Sequence, residues 1–125
     1  MTNTSNIAHG YKALVGLVNM MKGLHGDNLD RNVVSGLDSV LGHARNLLKH
    51  RRAYEAALHN EQPETAALAR TQLNASREAL LHSRVIVDLN TFSERMGQRG
   101  NTPYAICDNL ATAIQATIQA LIYSA

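Results

Sequence analysis

Arg70, Arg77 and Arg84 recur every seven residues and interleave with Leu73, Leu80 and Val87 at gaps of four and three. At 3.6 residues per turn these six side chains share one helical stripe. Leu81, Val85, Phe92 and Met96 form a second apolar edge beyond the arginines, so the arginines do not lie on a simple solvent face. A guanidinium group is a rigid fork of donors that holds phosphate or carboxylate through paired hydrogen bonds. The chemistry such a stripe offers is anion capture.

A helix on the other side of a turn near residue 61 sets what the arginines meet. Antiparallel registration about that turn puts Arg70 level with Arg52, Arg77 with Arg45, and Arg84 with Asp38, so only the last pair is neutralised. The expected site is a cluster of Arg45, Lys49, Arg52, Arg70, Arg77, Arg84 and His82, with His50 nearby. It would take an anionic small molecule of nucleotide type or, in the alternative, an acidic protein surface. A structural use competes with both: arginine stems cover apolar surface, and local pairs such as Arg51 with Glu55 or Arg84 with Asp88 absorb the charge. Arg51 sits at the centre of its helix's apolar arc, which makes its pairing with Glu55 structural.

Other chemistry finds no pattern. His9, His25, His43, His50, His59 and His82 have no partner at a recognisable ligand spacing, so no metal is expected. Glu78 and His82 stand four apart, which could orient an imidazole for proton transfer but more commonly stabilises a helix surface. Cys107 lies near a helix start but on an apolar face, the place of an inert core thiol. Phosphate-loop glycines, nucleophile elbows and paired catalytic carboxylates are missing, so no catalytic residue, cofactor or enzymatic activity is expected.

The elements that must position these residues are helices. From a Thr4/Ser5 capping signal, Ile7, Tyr11, Leu14, Val15, Val18, Met21 and His25 follow gaps of three and four, giving a first helix over about 4–25. Gly16 and Gly23, seven apart, mark a face where another helix could come close. After Asp27, Asn28, Leu29 and Asp30, the residues Val33, Leu37, Val40, Ala44, Leu47, Arg51, Tyr54 and Leu58 give a second helix over about 31–59. Pro63 suits the first position of a third, over about 63–96, roughly 50 Å long at 1.5 Å per residue. Val85, Ile86 and Val87 read as a buried part of it, and Asp88 and Asn90 would then need hydrogen-bond partners. Gly97 and Gly100 bracket a loop, and Thr102 with Pro103 opens a last helix over about 103–124, carrying Ile106, Leu110, Ala113, Ile114, Thr117, Ile118, Leu121 and Ile122.

The segment 77–90, through the spacing of Arg77, His82, Ile86, Leu89 and Asn90, resembles an uncharacterised family of small bacterial helical proteins. The resemblance covers the C-terminal half and implies a helical architecture. It brings no activity and no functional residue, and this chain departs from it after Gly97 in its short loop and uncharged last helix.

The chain has 125 residues and 13.6 kDa, enough for one domain with one core. At 45% hydrophobic and 18% charged residues it is too apolar to stay disordered. A net charge of +2 is too small for a general nucleic-acid coat, and no stretch is long and apolar enough to span a membrane. One cysteine excludes an internal disulfide, and the first residues lack a secretory pattern, so a cytoplasmic location is expected. Nine of twelve basic and seven of ten acidic residues fall between Gly36 and Arg99, while the 26 residues from Gly100 onward carry only Asp108. The sparsely charged first helix, with only Lys12 and Lys22, and the nearly uncharged last helix point to contact with another chain. The expectation is an all-α, homo-oligomeric, antiparallel four-helix bundle with a long central hairpin, a non-enzymatic binder.

Overall fold

Chain reversal at Asn60, Glu61 and Gln62 organises the middle of the molecule. In the computed structural model, which describes residues 3–26, 29–98 and 104–125 and their side chains apart from those at 3, 25, 96–98 and 104–107, Glu61 adopts a φ of 55°. The Gln62 amide donates to the Ala57 carbonyl at 2.8 Å and the Glu61 amide to the Leu58 carbonyl at 3.2 Å. This pairing of six-to-one and five-to-two bonds is the Schellman closure, which satisfies carbonyls that a helix end leaves open. Pro63 then starts the next helix with Glu64 in its first turn, where the helix dipole favours an acid.

The described residues form five helices and no strand: α1 (Asn3–His25), α2 (Arg31–His59), α3 (Pro63–Leu81), α4 (Val85–Gln98) and α5 (Tyr104–Ser124). Helix α2 packs along α3, α1 lies between α2 and α5, and α4 packs on α5 and α2. Leu14, Val18 and Met21 from α1 join Val33, Leu37, Val40 and Leu47 from α2, Leu73 and Leu80 from α3, Leu89 and Phe92 from α4, and Ile114, Ile118 and Leu121 from α5 in one core cluster. Each fully buried aliphatic side chain of this size contributes about 1.5–3 kcal/mol. Toward the hairpin turn the α2–α3 seam narrows to Ala57, Ala66 and Ala69, small enough for the helices to approach closely.

Several local expectations are corrected. The helix expected over 63–96 is interrupted at His82, Ser83 and Arg84. The His82 amide donates to the Glu78 carbonyl, the Ser83 amide to the Leu80 carbonyl, and the Ser83 hydroxyl accepts the Val85 amide at 3.3 Å. A serine that offers its own hydroxyl to the backbone two residues on competes with helix continuation, and the β-branched run that follows loses side-chain freedom in a helix. The break changes the buried face: Val85 is 1% exposed, whereas Val87 is 56% exposed and Asn90 faces solvent.

Helix α1 begins at Asn3, which puts Thr4 and Ser5 inside its first turn rather than at its cap. Gly16 and Gly23 face open space. The glycines that admit a neighbour are Gly10, where an added Cβ would lie 2.8 Å from Leu121 Cδ2, and Gly36, where it would lie 3.1 Å from Val85 Cγ2. Gly97, expected to open a loop, lies inside α4. Asp27, Asn28, the Gly100 end of the expected loop, the Thr102–Pro103 start, and the side chains of His25, Met96, Ile106 and Cys107 lie outside the described residues.

Candidate functional site

Arg45, Lys49 and Arg52 stand at i, i+4 and i+7 on α2, so they project from one face within about two turns, roughly 10 Å of helix. All three are exposed, and none has an ion-pair partner among the described residues. They line an open groove of about 700 Å³ together with Gly42, Asn46 and Leu48 of α2 and Tyr11 of α1. Leu48 is 8% exposed and Tyr11 is half-buried against the core, so the floor is apolar and fixed while the cations rise around it. Among the described residues no carboxylate lines the groove.

Helix α1 packs on α2 through the shared core, and Lys22 of α1 pairs with Asp38 of α2 at the solvent edge of that packing. That contact lies toward the end of α1 and the start of α2, while Tyr11 meets the middle of α2, so the two helices run in opposite directions. Asp38 is thus engaged by Lys22, and among the described residues it forms no ion pair with Arg84, although the neighbouring Gly36 meets Val85 close to the level that the hairpin registration expects. A second hollow of about 760 Å³ borders Leu29, Arg31, Val34, Ser35, Asp38 and Ser39. It mixes one cation with one carboxylate and lacks the one-signed charge of the Tyr11 groove.

The remaining expected site residues lie elsewhere. Arg70 sets its guanidinium carbon 5.5 Å from the Tyr54 ring centre, and Arg51 sets its own 5.4 Å from the same ring while its Nε donates to Glu55 at 3.2 Å. Tyr54 is two residues beyond Arg52, about 200° around α2, so Arg70 stands on a different face from the groove. Arg77 donates Nε–H to the Ile122 carbonyl at 3.2 Å and closes the last turn of α5. His82 lies 3.1 Å from Glu78 in an exposed pair one turn apart, and Arg84 is exposed at the α3–α4 break without an ion pair among the described residues. The structure therefore brings Arg45, Lys49 and Arg52 together and separates them from Arg70, Arg77, Arg84 and His82.

Registration about the hairpin states which residues are level, not which way they point, and that is why the sequence merges two faces of α2 into one cluster. Tyr11 is the residue sequence reasoning missed. Its spacing marks it as a core position of α1, and nothing in the sequence says that α1 crosses α2 beside Lys49. The signal that was present is the i, i+4, i+7 spacing of three cations within α2 itself.

Among the described residues no group of three or more His, Cys, Asp or Glu could hold a metal, and no helix is long and apolar enough to cross a membrane. Neither a protein-family model, nor a curated protein, nor a solved structure matches the chain.

Proposed function

We propose that this is a non-enzymatic binding protein that captures an anionic small molecule in the groove between α1 and α2. The observation that carries the reading is the set Arg45, Lys49 and Arg52, three cations on one helix face with no carboxylate in the groove they line. Charges of one sign gathered over an apolar floor repel one another in the free protein, and an anion that neutralises them relieves that repulsion while gaining charge-assisted hydrogen bonds. Arg70, Arg77, Arg84 and His82 drop out of the binding set in this reading, since the first two already serve Tyr54 and α5.

The test is a calorimetric titration with inorganic tripolyphosphate at low ionic strength. The parent protein is expected to bind, and the triple variant Arg45→Gln, Lys49→Gln, Arg52→Gln to lose the heat while keeping its helical circular dichroism. Arg84→Gln is expected to bind as the parent does. No heat from the parent, or equal heat from the triple variant, overturns the reading.

We further propose that the helices make one antiparallel bundle whose α1–α5 seam meets a second copy of the chain. The seam between α1 and α5 is lined by Asn6, His9, Gly10, Ala13, Ala116, Thr117, Ala120 and Ser124, without Asp, Glu, Lys or Arg. A face with no charge has no means of selecting a charged partner and matches its own copy.

A further inference from the structure

Resting on the anion-binding reading, we propose that the α1–α2 groove selects a nucleoside polyphosphate, with the base on Tyr11 and the phosphates along Arg45, Lys49 and Arg52.

The spacing of the cations sets the number of phosphates. Over i, i+4 and i+7 the three positions advance about 6 Å and then about 4.5 Å along α2. A single compact phosphate spans one such step at most. A linear chain of two or three phosphates offers charge at intervals that meet successive side chains, and each further phosphate adds a partner for a cation that otherwise stands alone. The long stems of Arg45, Lys49 and Arg52 let the heads converge by a few ångströms without moving the helix.

The rest of the groove sets what the phosphates are attached to. A groove for inorganic polyphosphate alone has no use for an aromatic wall. Here Tyr11 and Leu48 line the groove and pack against the core, and Asn46, also in the lining, offers both a donor and an acceptor. A planar heterocycle stacks on an aromatic side chain whatever its edge carries, and the side-chain amide can bond either to that edge or to a ribose hydroxyl. At Gly42 the α2 surface carries no side chain, and an added Cβ would meet nothing within 4 Å, which leaves the groove open at that end. The volume of about 700 Å³ falls in the range of small-ligand sites.

The experiment compares ATP, AMP and inorganic tripolyphosphate by calorimetry in magnesium-free buffer of low ionic strength, on the parent, Tyr11→Leu, Tyr11→Phe and Arg52→Gln proteins. ATP is expected to bind about tenfold more tightly than tripolyphosphate, because stacking adds to the phosphate contacts. AMP is expected to bind more weakly than both. Tyr11→Leu should bring ATP down to the tripolyphosphate level and leave tripolyphosphate itself unchanged, whereas Tyr11→Phe keeps the ring and should keep the ATP preference, which separates stacking from damage to the core. Arg52→Gln should weaken ATP and tripolyphosphate alike, by about three- to tenfold. ATP binding no tighter than tripolyphosphate, or Tyr11→Leu weakening both ligands equally, overturns this inference and leaves the anion-binding reading standing. Failure of all three ligands on the folded parent overturns the two together.

Discussion

Single positions decide how closely the helices of this protein approach. At Gly36 an added Cβ would lie 3.1 Å from Cγ2 and 3.2 Å from Cβ of Val85, and Val85 is fixed by its burial in the first turn of α4. A β-branched side chain cannot swing such atoms away without moving its backbone. In Gly36→Ala the overpacking, about 1–3 kcal/mol, exceeds the roughly 1 kcal/mol by which alanine favours a helix. A net loss of about 1 kcal/mol is expected in urea unfolding. Gly16→Ala is its control: it faces open space, keeps the helix gain alone and should raise stability by up to about 1 kcal/mol. A gain at both positions would show that α4 can retreat from α2.

Arg77 poses the residue-scale question for the site. Its Nε–H bond to the Ile122 carbonyl ties α3 to the end of α5, so Arg77→Gln should lower stability by about 1 kcal/mol and leave tripolyphosphate affinity as it was. Weakened binding in a variant of unchanged stability would return Arg77 to the binding set.

Elements are where the sequence was most legible and where it misled. Leu37, Val40, Ala44 and Leu47 lie buried along α2 at the spacing that announces them, and Pro63 opens α3 as its fixed φ favours. The break at His82–Arg84 escaped because the apolar period continues through it. The buried face changes across it, from Leu73 and Leu80 to Val85 and Leu89, but Leu81, Val85 and Phe92 keep gaps of four and seven straight through it, so the apolar pattern alone shows no interruption. Its single cue is Ser83, whose hydroxyl takes the Val85 amide. The site was half legible for a related reason. Spacing within α2 marks Arg45, Lys49 and Arg52, but the crossing of α1 that brings Tyr11 depends on packing between distant elements.

The hairpin turn carries its own element-scale prediction. Glu61 is exposed at a φ of 55°, in the position that most helix ends give to glycine, and a side chain there costs roughly 1 kcal/mol. Glu61→Gly relieves that strain but adds freedom to the unfolded chain. The balance is a gain of about 0.5 kcal/mol, read as a higher urea midpoint with an unchanged slope. A loss would mean that Glu61 contributes a contact of its own to the turn.

For the whole molecule the open question is how much surface one chain leaves to a second. The chain exposes 7411 Å², against about 6,600 Å² for a compact monomer of 13.6 kDa. Part of this surplus, roughly 800 Å², is surface that a second copy would cover under the proposed association. The α1–α5 side offers a place for it: its seam is free of Asp, Glu, Lys and Arg, Met20 and Leu24 on α1 are 54% and 53% exposed, and Tyr123 on α5 is 86% exposed. The groove lined by Arg45, Lys49 and Arg52 lies on the α1–α2 side, so the proposed association through α5 would leave it open. Size-exclusion chromatography with light scattering is expected to give a mass above that of one chain. Ala120→Glu places a carboxylate in the seam, and in an isologous contact that carboxylate meets the same patch of the partner, where like charges in an apolar interface cost several kcal/mol. Ala120→Glu should therefore run as a single chain of unchanged helicity and still bind tripolyphosphate. A parent protein that runs as one chain at every concentration tested overturns the association and attributes the surplus surface to the elongated α2–α3 hairpin.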